Sequence, residues 1–214
     1  MGYRSRTAER HERIWEQLAR LSPNLFFFAS VILLVASLHR GSTLLLDGVA
    51  HNSWVSLLKL FGRLAALLGI IGLTLRISQY DRRLGKMSWT VAAAAVLVTV
   101  VLITIVTAGN MGFTLGLVSV VGLGTFLLSV GTYSLGGIAI IRTGAYPVPI
   151  GKLLLAAAAS LLVVFFGMTV LPIDWIGVLI EGVLFLLYLG VGYFLRAGDT
   201  APLQTKSVSD MTPR

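Results

Sequence analysis

Six side chains able to do acid–base or ionic chemistry fall in one stretch of the chain, residues 39–63, HRGSTLLLDGVAHNSWVSLLKLFGR. They are His39, Arg40, Asp47, His51, Lys59 and Arg63. Almost everything from Leu25 onward is otherwise hydrocarbon-like, and Glu181 is the only other acid well inside an apolar run. A lone charge in hydrocarbon costs at least about 2.5–3.5 kcal/mol on insertion scales, so these groups need partners, water or protonation. If Trp54 and Trp175 mark an outer interface, Lys59 lies roughly 7 Å deep, Glu181 roughly 9 Å and Arg63 roughly 13 Å at the rise of an α-helix. Glu181 then falls between the two cations. Lys59 and Arg63, four residues apart, face one partner. The expectation is a salt bridge from Glu181 to Arg63, with Lys59 as second choice. His39 and Arg40 approach the same layer from the preceding run, and they join Lys59, Arg63 and Glu181 as a candidate intramembrane polar cluster. One reading is structural, with His39, Arg40 and Lys59 snorkelling to headgroups. The other is a polar cavity open to the outside, with Glu181 as its counter-ion or proton-binding group.

Familiar catalytic patterns are absent. There is no G-x-x-x-x-G-K-[ST], no H-E-x-x-H and no serine nucleophile elbow. Gly122-Leu123-Gly124 sits inside an apolar run, which excludes a phosphate cradle. The chain has no cysteine, so disulfides, thiolate metal sites and cysteine nucleophiles are excluded. The expectation is no enzyme, no cofactor and no metal.

The elements that position these groups follow from composition. The 214 residues are 56% hydrophobic and 12% charged, against about 25% charged for a soluble domain. The net charge of +8 would suit nucleic acid, but here the basic residues flank apolar runs, as the positive-inside rule requires. No nucleic-acid partner is expected. Six runs are long enough for a helix to cross a bilayer, which takes about 20 residues: 24–46, 54–76, 89–108, 113–141, 152–171 and 175–195. The fold expected is all-α, a polytopic integral membrane protein of six transmembrane helices. Fourteen of the seventeen basic residues lie in the leader, in 76–86, in 142–152 and in the tail from Arg196. That bias puts both termini in the cytoplasm of a multi-pass cell-membrane protein.

The boundaries expected are a charged amphipathic segment over 1–22, lying on the membrane surface or solvated, a six-helix domain over 23–197, and a disordered tail over 198–214. Residues 44–60 have a second option, as a helix flat on the outer surface that would leave helix two short. Asp174 is placed to cap helix six. Tetra-alanine blocks in KMSWTVAAAAVLV and GKLLLAAAASLLVV suggest a tandem repeat of helical hairpins.

Helix four carries a seam of small and hydroxylated residues at steps of three and four: Gly112, Gly116, Ser119, Gly122, Thr125, Ser129, Thr132 and Gly136. Without a hydrophobic drive between helices in lipid, such seams serve close packing, here within the chain, in a homo-oligomer or against a membrane-protein partner; the alternative is a lining for a polar pathway. The function expected is structural or accessory, an assembly partner or sensor subunit without turnover. The alternative is a small transporter or channel-like protein with an outward-facing site around Glu181, Arg63 and Lys59. A cavity reaching Glu181 separates the two.

Overall fold

The computed structural model describes residues 3–47, 53–109, 115–167 and 173–200. It is all-α: α1 (Tyr3–Asp47), α2 (Ser53–Tyr80), α3 (Arg82–Gly109), α4 (Leu115–Thr143), α5 (Val148–Gly167) and α6 (Ile173–Thr200). Each holds a stretch long and apolar enough to cross a membrane. The shortest, α5, has 20 residues, about 30 Å of helix, the thickness of a bilayer's hydrocarbon.

Each helix packs on the next, and α6 closes back onto α1, so the six form a ring. One further contact, between α2 and α4, crosses its middle. The ring is polar at one end. Arg76, Arg82, Arg83, Lys86, Arg142, Lys152 and Arg196 are all exposed there, and this is called the basic end. The sides expose large apolar residues such as Leu97, Val120, Phe166 and Leu179. An apolar exterior on that scale is a surface made for a non-aqueous partner.

Turn chemistry fixes the basic end. Asp81 Oδ1 accepts hydrogen bonds from the amides of Arg83 (2.8 Å) and Leu84 (3.0 Å), capping α3. Gly144 ends α4 at φ +62°, a conformation that costs glycine no strain, and its amide donates to Ile140 O at 3.0 Å. The Arg76 guanidinium sits 5.1 Å from the Tyr146 ring centroid. Inside, the half of the bundle nearer this end is filled by Phe26, Leu67, Ile70, Ile140, Leu154 and Val191, all fully buried.

Glycines set the closest approaches. A Cβ on Gly69 would lie 2.8 Å from the Phe26 ring, and one on Gly72 would lie 2.8 Å from Leu18 O. Gly137 of α4 and Gly151 of α5 likewise face each other, each within 2.8 Å of the other's carbonyl.

Several expectations change. The leader boundary at residue 22 is not a helix boundary, because α1 continues through Pro23. Ser22 is fully buried and Leu18 packs against the core, so the last turns of the expected surface helix are seated on Gly72 of α2. Residues 44–60 are not one flat helix: they divide between α1 and α2 around 48–52, which lie outside the described residues. α6 runs to Thr200, past the expected boundary at 197, and 201–214, the rest of the expected tail, lie outside the described residues. The side chain of Asp174 is also outside them. The two alanine blocks are used differently. Ala92 and Ala95 are buried in the first, Ala157 and Ala158 in the second, so the blocks do not present equivalent faces.

Candidate functional site

In the half of the bundle away from the basic end, the ring encloses a cavity of about 390 Å³ to which all six helices contribute. Its lining comes from the second halves of α1, α3 and α5 and the first halves of α2, α4 and α6, as antiparallel neighbours require. The two sides differ in chemistry. From α1, α2 and α6 come the polar groups Arg40, Ser56, Lys59, Arg63, Glu181 and Tyr188, set among Leu33, Leu60, Ile180 and Leu184. From α3, α4 and α5 come only apolar side chains and one glycine: Leu102, Val106, Val118, Gly122, Phe126, Leu161 and Val164.

Glu181 is the centre of the polar side. Its Oε1 is 2.5 Å from Lys59 Nζ and 3.2 Å from Arg40 Nη1. These helices are consecutive in the ring, with α1 between α2 and α6, so two cations converge from one flank. Gly177, one turn before Glu181, makes room for the guanidinium: a Cβ there would lie 2.6 Å from Arg40 Nη1. Ser37 Oγ donates to Val178 O at 3.2 Å, tying α1 to α6 beside the pair. The side chains of Arg40, Lys59 and Glu181 are 15%, 23% and 13% exposed, enough burial for the pairing to matter. Glu181 Oε2 is buried and has no hydrogen-bond partner among the described residues, which leaves an acceptor available.

Arg63 lies one turn along α2 from Lys59 and lines the cavity, yet it forms no ion pair with a described residue. The expected bridge to Glu181 is therefore corrected: Lys59 and Arg40 hold the carboxylate. Depth along α2 and α6 alone does not decide the partner, because α1 delivers Arg40 to Glu181 beside Lys59 rather than beside Arg63. His39 stands apart from the carboxylate. Its ring packs on Trp54 with centroids 4.7 Å apart, towards the cavity end of α1 and α2.

Two tyrosines pack together at the end of the cavity nearer the basic end. Tyr188 O–H donates to Tyr133 Oη at 2.5 Å, with both residues buried. Their ring centroids are 5.8 Å apart, and Phe26 lies 6.1 Å from Tyr188. Sequence reasoning passed over this pair. The signal was present, since a tyrosine midway along an apolar helix needs a partner for its hydroxyl.

The helix-four seam divides. Thr125, Ser129, Thr132 and Gly136 are buried within this chain. The three hydroxyls donate to carbonyls of their own helix, those of Val121, Thr125 and Leu128, and Gly136 packs near Ile70 and Leu154. Gly122 and Ser119 do not pack within the chain. Gly122 lines the cavity, and a Cβ there would meet nothing within 4 Å; Ser119 is exposed. Gly112 lies outside the described residues, as does the environment of Gly116.

The arrangement is suited to binding charge. It combines three cations with one carboxylate in a largely apolar chamber. Among the described residues, no group of three His, Asp or Glu stands together in a metal-holding arrangement. Comparison with protein-family models, with curated proteins and with solved structures finds no match to this chain.

Proposed function

We propose that the protein is a multi-pass cell-membrane protein of transporter type, with both termini in the cytoplasm and the central cavity as its ligand site. The observation that carries this reading is the cavity of about 390 Å³ that reaches Glu181, Lys59, Arg40 and Arg63. Its volume lies within the ~300–1,000 Å³ of small-molecule sites, and its apolar lining with a few convergent polar groups is their usual composition. Charged side chains within the span of membrane helices mark ligand or ion pathways by default. The basic end, with seven exposed Lys and Arg residues, supports placement of that end in the cytoplasm. The cavity then faces the outside, with the tyrosine pair as the barrier on the inner side.

A second reading, an accessory subunit without turnover, draws on the helices themselves. All six run unbroken through the described residues, whereas many transporters bind at discontinuous helices.

Substituted-cysteine labelling tests the first reading, and a chain without cysteine gives a clean background. Ser56→Cys and Gly122→Cys should react with a small, impermeant thiol reagent applied from outside. Failure of both to react in folded protein would remove the outward-facing site.

A further inference from the structure

We infer that the cavity takes an amphipathic anion, with a phosphate or carboxylate head against Arg63 and its hydrocarbon chain along the wall made by α3, α4 and α5. The inference rests on the ligand-site reading above and specifies the class of ligand. Three observations carry it. The first is segregation of charge: every charged group of the lining comes from α1, α2 and α6, set among Leu33, Leu60, Ile180 and Leu184, whereas the opposite three helices supply only apolar side chains and one glycine. A chamber split in this way matches a molecule with one polar and one apolar part, and an inorganic ion would use only half of it.

The second is charge. Arg40 and Lys59 share Glu181 Oε1. Arg63 adds another cation with no ion pair to a described residue. It faces a chamber lined mostly by apolar side chains, where charge interactions are strong. An anion balances the Arg63 charge, and a cation would be repelled by it. The guanidinium of Arg63 also offers a planar fork that fits the oxygens of phosphate or carboxylate in pairs.

The third is space. Gly122 sits on the apolar wall, and nothing lies within 4 Å of where its Cβ would be. The helix is bare where a chain would run. At about 390 Å³ the chamber lies at the small end of ligand sites and suits a head with part of a single chain.

The test uses purified full-length protein in an uncharged detergent and three probes. They are lysophosphatidate, monoacylglycerol of the same chain, and inorganic phosphate. Binding is followed by native mass spectrometry and by ligand-induced shifts in melting temperature. Lysophosphatidate should bind one to one, about tenfold or more tighter than monoacylglycerol, the ratio set by one favourable ionic contact. Added salt should reduce that preference. Arg63→Gln should bring the two lipids to parity, and Arg63→Lys should keep most of the preference. Gly122→Trp should block all binding while its melting temperature without ligand stays near that of the parent. Parity of the two lipids in the parent protein would overturn the anionic head. Inorganic phosphate binding as tightly as lysophosphatidate would overturn the hydrocarbon part. In either case, block by Gly122→Trp would leave the ligand-site reading standing. If no probe binds at any concentration below micelle saturation, or if binding occurs and Gly122→Trp leaves every shift unchanged, both the ligand class and the site fall.

Discussion

Glu181 holds two cations on one oxygen, and this makes its removal costlier than removal of either partner. Glu181→Gln takes the ion-pair partner from Lys59 and one partner from Arg40, whereas Lys59→Gln leaves Glu181 with Arg40. Breaking a buried pair costs about 3–5 kcal/mol in soluble proteins. The cavity alongside gives the stranded group some relief, so Glu181→Gln should fall at or below the low end of that range and Lys59→Gln clearly lower. Arg63→Gln should cost least of the three, because it breaks no ion pair with a described residue. Melting in detergent measures the order, and an Arg63→Gln loss as large as that of Glu181→Gln would refute it. The sequence made these residues visible because charge in an apolar run is rare and costly. It did not reveal the pairing. Lys59 and Arg63 are equally good partners by spacing, and the choice between them depends on the level at which three helices meet. That level follows from close contacts such as Gly177 with Arg40, which no single helix displays.

Among the elements, the tightest packing is between α1 and α2, where Gly62, Gly69 and Gly72 admit Ile32, Phe26, Ser22 and Leu18. A Cβ at Gly72 would meet the Leu18 carbonyl at 2.8 Å, and backbone cannot swing aside as a flexible side chain can. Gly72→Val should therefore destabilise by about 3 kcal/mol or more, the upper range of overpacking. Gly122→Leu should stay within about 0.5 kcal/mol of the parent, as for a substitution that touches nothing. Parallel melting curves of the two variants decide this, and equal losses would contradict the assignment of Gly122 to the cavity. Both glycine series obey the small-residue rule of membrane helices. The seam on α4 was legible as a pattern, but a small residue opens space equally for a neighbouring helix or for a cavity. The glycines of α2, in the run GRLAALLGIIG, carried a comparable signal beside more prominent charges.

At the scale of the molecule, six runs of apolar residues translated directly into six helices, because a bilayer-length hydrophobic segment has few alternatives. The closure of α6 onto α1 and the chamber inside the ring were not legible, since they depend on contacts between residues more than a hundred positions apart. Seven basic side chains are exposed at one end, and the three other basic residues from Leu25 to Thr200 are gathered in the cavity instead. By the positive-inside rule, an end charged in this way is expected on the cytoplasmic side. Single cysteines at positions 83 and 110, introduced into the cysteine-free chain, report the two sides. In intact cells an impermeant maleimide should label position 110 and leave position 83 unlabelled until the membrane is permeabilised. The reverse pattern would place the basic end outside and the cavity towards the cytoplasm, so that its ligand would be met from within. Labelling of both positions in intact cells would mean that the connection between α2 and α3 and the one between α3 and α4 share a side, and α3 would then not cross the membrane.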